Sequence, residues 1–413
     1  MSHLSSLATA ADPRPVAGPS SWDQARQLAH AAGQAAAMPV TRLPLARCAG
    51  LTLAAPLAAQ GNLPAFRTCC MDGWAVRGPG PWRVVGQVLA GASPAALTVD
   101  GTAVQVATGA PVPTGATAIL RAEDGVLVDD RVHGAPRTRP EWREIGEETR
   151  VGELLLPAGV EVTPAVLGLA AASGHDDLPV RPAPSAAVLV FGDELLAAGP
   201  PAGGRIRDAL GPSVPAWLRW LGARPDQPPQ PLPDTFDGHV AALEGALTRA
   251  DLVCATGGTM RGPADQLRPA LLELGAELVV DCVAVRPGHP MLLARLLGPA
   301  GMVRFVAGLP GNPQAAVAAL VTLVAPLLAG LRGRPLPAAR RAALGAPVPG
   351  RLGGTALLPV RYDEDGLVRP LPHTGPAMLR GLAEADGYAV LRPGAGTDIG
   401  DTVPVLPLPG DGR

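Results

Sequence analysis

Gly308-Leu309-Pro310-Gly311-Asn312-Pro313 is the stretch whose reading decides the fold. A mostly apolar run, Met302 to Ala307, precedes it and reads as a buried strand. The Ala/Val/Leu-rich run Gln314 to Leu328 follows it and reads as a helix. Asn312 stands where an N-cap belongs, and Pro313 where the first helical residue belongs. The two glycines allow a tight turn and close approach of a ligand to backbone. A helix start leaves N–H groups unpaired and carries partial positive charge, so the loop is a candidate anion site. The bland alternative is an ordinary strand-to-helix turn, because short Gly/Pro loops are common punctuation.

Working outward, strands and helices alternate from Ala186 onward. Ala187 to Phe191 reads as an apolar strand ending in Gly192-Asp193-Glu194, and Val214 to Leu221 as a helix. After a Pro-rich bridge, Pro225 to Pro233, come a helix over Val240 to Ala250 and a strand over Asp251 to Ala255 that ends in Thr256-Gly257-Gly258. Pro263 to Leu274 reads as a helix and Glu277 to Cys282 as a strand. Largely apolar strands alternating with helices imply a parallel sheet covered on both faces.

The flanks read differently. Residues 1–20 are Ser/Pro/Ala-rich and expected to be disordered. Ser21 to Ala37 reads as a helix capped by Ser20 or Ser21, with Asp23 in its first turn. Residues 52–136 are short β-like runs broken by Gly and Pro, and Pro164 to Ser173 reads as a helix. Beyond Gly330 short strands and turns return, Thr355 to Val360 and Gly387 to Leu391 among them.

Composition excludes several classes. The 413 residues suffice for two to four domains, and 47% hydrophobic residues is ordinary for a soluble chain. A formal net charge of −2 gives no global field for nucleic acid or an anionic membrane. All 34 basic residues are Arg. The cysteines, Cys48, Cys69, Cys70, Cys254 and Cys282, are odd in number and lack metal spacing, which implies reduced thiols in the cytoplasm, with Cys69-Cys70 as two packed thiols. No signal peptide is read at the N-terminus. The apolar run Ala315 to Leu331, interrupted by Pro326, reads as a core helix and not as a membrane span.

Three loops carry the chemistry: Gly192-Asp193-Glu194, Thr256 to Gly262, and the hexapeptide at Gly308. Ligands of open parallel sheets bind beyond the carboxyl ends of the strands, where all three fall. Backbone N–H groups there suit phosphate, and the carboxylates of Asp193 and Glu194 suit a divalent cation. Asp265 is read in the first turn of its helix, where it either favours the helix dipole or acts in catalysis. Arg286 and His289 flank Pro287-Gly288, a turn able to meet phosphate or an oxyanion.

From about Trp22 to near the C-terminus the chain resembles the molybdopterin molybdenumtransferases, the gephyrin E-domain-like family. The marks, in order, are Leu63-Pro64-Ala65-Phe66 with Met71-Asp72-Gly73-Trp74-Ala75-Val76; Thr108-Gly109-Ala110-Pro111-Val112-Pro113 with Glu123-Asp124; Gly192-Asp193-Glu194; Thr256-Gly257-Gly258; Arg286-Pro287-Gly288-His289-Pro290; and Gly308 to Pro313. The resemblance implies a multidomain α/β protein: a three-layer α/β molybdopterin-binding domain (186–330), an inserted small β-containing domain (57–136), an elongated domain in two pieces (21–56 and 137–185), and a C-terminal β domain (331–413). It implies molybdate insertion into adenylylated molybdopterin with release of AMP, a Mg²⁺ requirement, and molybdopterin adenylyltransferase as upstream supplier. It also implies a homodimer, with the active cleft between the α/β domain of one subunit and the inserted domain of the other.

Carried over by motif, the catalytic candidates are Asp72, Asp265, Glu148, Arg286 and His289. Gly257, Gly258, Thr259, Pro310, Gly311, Asn312 and Asp208 fall on the cofactor-binding side, and Asp193 and Glu194 on the metal. Departures from the family pattern are specific. Glu148 stands for an Asp, Asp208-Ala209-Leu210 for Asp-Ser-Asn, and Arg286 to Pro290 for Lys-Pro-Gly-Lys-Pro. Histidine is not a permanent cation near neutral pH. Ala209, Leu210 and His289 thus favour a rival reading, a non-catalytic molybdopterin-binding carrier or scaffold. Asp72 and Asp265 favour the enzyme.

Overall fold

The computed structural model describes residues 18–226, 229–260, 262, 265–298, 301–348, 350 and 353–409. The expected disorder of residues 1–20 lies outside these for 1–17, and is corrected at Ser20, which pairs with Val283 as its amide donates to Cys282 O at 3.2 Å and its carbonyl accepts from the Ala284 amide at 2.8 Å. The chain divides into two compact units, one holding the segments up to Pro39 and from Arg181 onward, the other Val40–Val180.

In the first unit, a sheet runs in the order Arg224–Pro225, Ser185–Phe191, Leu252–Thr256, Val303–Leu309, Leu292–Leu297, Glu277–Asp281. The first four strands are parallel. The last two pairings are antiparallel, which corrects the all-parallel expectation. The reason is connection length. Ten residues, 282–291, join Glu277–Asp281 to Leu292–Leu297 and carry the strand Val285–Arg286 of another sheet, and five join Leu297 to Val303, both fewer than the dozen or more that a parallel crossover needs.

The central strands are buried on both faces. Ala186, Val188 and Val190 join a core with the helices Trp22–Ala35, Leu210–Trp220 and Pro313–Leu331, while Ala187, Leu189 and Phe191 face the helices Phe236–Leu247 and Leu267–Glu273. Asp251 holds this sheet's edge. Its Oδ2 accepts from the Ser185 amide and hydroxyl at 2.8 and 2.7 Å, and its Oδ1 accepts from buried Arg304.

Pro313–Leu331 is the described helix long and apolar enough to cross a membrane, and it is wholly buried within the protein. It does not stop at Pro326. A π-helical turn over Leu320–Val324 absorbs the proline, which has no N–H to donate and crowds the preceding turn. Trp22 donates its indole N–H to Thr322 Oγ1 in that turn at 3.1 Å. The helix Trp22–Ala35 crosses Ala325–Leu331 through two glycines. A Cβ on Gly33 would lie 2.3 Å from Leu327 O, and one on Gly330 2.3 Å from His30 O.

The C-terminal sheet runs Val285–Arg286, Thr355–Tyr362, Gly387–Leu391, Thr402–Pro407, Arg340–Ala343. Its first strand comes from the α/β segment, so Arg286 is fixed where the two sheets' cores adjoin.

The second unit centres on a six-stranded sheet, Ala118–Arg121, Gly73–Arg77, Thr102–Val106, Trp82–Val88, Arg131–Gly134, Gly125–Val128. A separate core gathers Leu53, Leu57, Val162 and Ala170 around the helix Pro164–Ala172. Cys69 is buried and Cys70 exposed, so they are not two packed thiols. Burial, with Cys70 beside it, pushes the Cys69 thiol up to about 12.

Candidate functional site

Three neighbouring parallel strands, ending at Phe191, Thr256 and Leu309, deliver their loops to one sheet edge. The loops touch. The Gly257 amide donates to Leu309 O at 3.1 Å, a Cβ on Gly257 would lie 2.9 Å from Phe191 O, and one on Gly311 would lie 4.0 Å from Gly257 Cα. Gly257 and Gly258 have φ of +89° and +60°, a region costly for other residues. Gly257, Gly258, Thr259, Pro310, Gly311 and Asn312 are therefore brought together.

Asn312 is the residue before the helix, but its side chain makes no cap hydrogen bond. Among the described residues, the amides of Gly258, Gly311 and Asn312 donate to no partner in the chain. Gly311 and Asn312 are exposed. The helix itself does not supply such donors: Pro313 has no N–H, and the Gln314 and Ala315 amides donate to Pro376 O at 3.0 and 3.3 Å, so the free N–H groups belong to the loop before the helix, which corrects the expectation of an unpaired helix start.

Asp265 departs from its expected place. Its helix begins at Leu267, and Asp265 precedes it. Its Oδ1 accepts from the Met260 amide at 3.1 Å and its Oδ2 from the Gly262 amide at 2.9 Å, so it shapes the loop. Arg268 ties that loop down, donating to Thr259 O at 2.5 Å and to Asp281 Oδ1 at 2.5 Å. The expected helix start at Pro263 lies outside the described residues.

Asp193 and Glu194 are exposed in the first loop. Sequence reasoning missed their neighbours Asp234 and His239. His239 is fully buried, stacks on Phe191 at 3.6 Å, and donates its Nδ1–H to Thr235 O at 2.9 Å. Its Nε2 lies 3.7 Å from Asp234 Oδ1. Burial pushes the Asp234 carboxyl above its ordinary range; His239 opposes this, and Asp193, Glu194 and Asp265 push it further up. No spacing rule flags this pair, because Asp234 follows a Pro-rich bridge and His239 sits on a helix face. Four carboxylates thus share one neighbourhood, with hard oxygen donors of the kind Mg²⁺ takes. Among the described residues no three such side chains stand close enough to hold a metal by themselves. Mg²⁺ commonly binds through one or two carboxylates plus substrate phosphates, so the donors fit a site that substrate completes.

Asp208 is 6% exposed and accepts from the Leu210 and Gly211 amides at 2.9 Å each. It caps the helix Leu210–Trp220, which starts four residues before the expected Val214. Asp208→Ala is expected to cost about 1 kcal/mol, read as a lowered Tm.

A cavity of about 770 Å³ opens beside these loops, lined by Arg286, His289 and Asn312 on one side and by Leu357, Leu371 and Thr374 on the other. Both polar side chains of the Arg286–Pro290 turn are exposed. His289 Nδ1 lies 2.7 Å from Val283 O, and a carbonyl only accepts, so Nδ1 carries the proton and Nε2 is left free to meet a ligand. Thr374 was not foreseen, because it sits in the C-terminal domain with no motif around it.

In the second unit, Asp72 lies at the start of Gly73–Arg77 and is exposed. Its Oδ1 accepts from the Thr108 amide at 2.7 Å and the Thr108 hydroxyl at 2.8 Å. Those two bonds hold its carboxyl below the usual range. Thr108 is thus the partner that sequence reading placed in a motif without a role. Glu148 is exposed and pairs with Arg143 at 3.0 Å.

A parallel-stranded core with glycine loops gathered at one sheet edge, joined by β-rich segments, defines a multidomain α/β protein. Three family models match: "MoeA N-terminal region (domain I and II)" over 20–174, "Probable molybdopterin binding domain" over 187–330, and "MoeA C-terminal region (domain IV)" over 341–408. The chain belongs to the MoeA family. It is 30% identical over 391 residues to the molybdopterin molybdenumtransferase of Synechococcus elongatus, covering 87% of this chain and 93% of that one. It is 34% identical over 326 residues to molybdopterin molybdenumtransferase 2 of Mycobacterium tuberculosis, covering 73% and 77%. Among solved structures, a molybdopterin biosynthesis MoeA protein of Pyrococcus horikoshii is 25% identical with a TM-score of 0.74, covering 93% of this chain and 99% of that one.

Proposed function

We propose that this chain inserts molybdate into adenylylated molybdopterin, with release of AMP as the pyrophosphate bond is hydrolysed. A role in molybdenum cofactor biosynthesis, as a transferase, comes with the family. The observation that carries the finer reading is the convergence of the Gly257, Gly311 and Asn312 backbone on an edge that also bears Asp193, Glu194 and Asp265. Free N–H groups suit the pterin phosphate. Arg286 supplies a permanent cation at the cavity wall. The carboxylates suit Mg²⁺, which supplies charge neutralisation to a breaking phosphoanhydride. Asp72 supplies an ionised carboxylate on the other unit.

The test is direct. Purified protein with adenylylated molybdopterin, molybdate and Mg²⁺ is expected to release AMP and yield molybdenum-loaded pterin. AMP at background level with binding intact would return the chain to the carrier or scaffold reading. The retained Asp72 and Asp265 and the transferase names of the relatives support the enzyme.

The same reading includes a homodimer, Mg²⁺ dependence, a cytoplasmic place and supply by a molybdopterin adenylyltransferase. Sedimentation is expected to give twice the chain mass of 41.8 kDa, and a mass of one chain would overturn the dimer. Saturating Mg²⁺, at a hundred times its Kd in the presence of AMP, is expected to stabilise the protein by about 2.7 kcal/mol. Glu194→Gln should shrink that shift. His289→Lys restores a permanent charge and is expected to lower KM about threefold, the scale of a solvent-screened charge contact. An unchanged KM means the side chain does not face the anion.

A further inference from the structure

The inserted domain holds a second cavity, of about 260 Å³, that the phosphate-side reading does not use. Three neighbouring strands place Trp74, Gln105 and Gln87 in one row. Trp74 pairs in register with Gln105 on the antiparallel strand, and Gln105 with Gln87 on the parallel one. Side chains in register share a face of the sheet. Asp72, two residues before Trp74, lies on that face and lines the same cavity. Among the described residues, neither carboxamide nor the indole N–H has a hydrogen-bond partner in the chain. Both glutamines are exposed. The indole is braced from behind by Gly125, where a Cβ would lie 2.7 Å from Trp74 Cζ3.

The chemistry of this row is specific. Asp72 is the one charged residue lining the cavity among those described, so a phosphate there would meet a carboxylate without a cation. The volume lies below the roughly 300–1,000 Å³ of sites for drug-sized ligands and suits a fragment. A carboxamide offers a donor and an acceptor in one plane, which complements the amino group and ring nitrogen side by side on adenine. A pterin instead presents two donors together, which two carboxylate oxygens match. Thr108 already takes one oxygen of Asp72.

We propose that Gln105 and Gln87, beside Trp74, form the subsite for the adenine ring of the adenylylated substrate, and that they set the enzyme's choice of base. The assignment rests on the function proposed above, and its test is separable from that function's. Full-length protein is titrated with AMP, with GMP and with neopterin, following binding by calorimetry. The comparison protein is the Gln87→Ala/Gln105→Ala double variant, whose changes are on exposed side chains. The wild type is expected to prefer AMP over GMP. The double variant is expected to bind AMP at least about tenfold more weakly, the scale of one lost base-edge pairing, with neopterin affinity unchanged. Equal AMP affinity in the two proteins, including none in either, overturns the subsite. So does a loss confined to neopterin, which would make it a pterin site. AMP release by the wild type in the turnover assay, alongside such a result, leaves the transferase reading standing and removes only this assignment.

Discussion

Asp72→Asn is expected to lower kcat by about 10²- to 10⁴-fold, the scale of losing a proton-transfer or charge-bearing group. The change keeps the side chain's shape and lets an amide oxygen accept from Thr108. It removes only the charge. Because Asp72 is exposed, Tm should be unchanged, so lost turnover cannot be ascribed to unfolding. The Thr108 bonds hold the carboxyl below its ordinary range. A depressed carboxylate contributes stability above its unfolded pKa and loses it as pH falls through the folded value. The Asp72–Thr108 contact is therefore fully formed at neutral pH and weakens only in acid, below the ordinary Asp value of about 3.9. Any loss of turnover near pH 6 must come from another group. Unchanged kcat in Asp72→Asn would reduce Asp72 to a turn residue.

Gly330→Ala is expected to destabilise the α/β unit by about 2 kcal/mol. Two effects oppose each other. Alanine gains roughly 1 kcal/mol of helix propensity over glycine. Its Cβ, however, would stand 2.3 Å from His30 O and 2.7 Å from Gln34 N, both backbone atoms that no rotamer change can move. Overpacking of this kind costs about 1–3 kcal/mol and more when backbone must shift. The clash wins, and Tm should fall by about 4–8 °C. Gly245→Ala is the control. It lies inside the helix Phe236–Leu247 with nothing within 4 Å of a Cβ, so the propensity gain alone remains and Tm should rise. If both variants behave alike, the helices do not cross at these glycines.

Much of the site's backbone was legible. A strand, then glycine and proline, then Asn-Pro before an apolar run is local information, because turn conformation and helix starts are set within a few residues. Long-range pairing was less legible. Leu292–Leu297 was not read as a strand, and its antiparallel pairing reverses one part of the sheet. Asp265 looked like a helix-first-turn acid, but its two oxygens satisfy loop amides, a competition that only the folded loop reveals. The π-helical turn at Leu320–Val324 was likewise hidden, since the apolar run reads as one helix through Pro326 and no local pattern marks the turn that accommodates the proline.

The sequence by itself determined the multidomain α/β class, the order of the glycine loops and the family, because each rests on local residue pattern. The tertiary structure alone decided which side chains meet. It placed Thr108 on Asp72, buried His239 beside the half-buried Asp234, brought Thr374 to the cavity of Arg286, and aligned Gln87, Gln105 and Trp74. The physical reason is that contacts between residues distant in the chain depend on strand register and helix packing. One residue of register would turn the Trp74 row to the opposite face of its sheet.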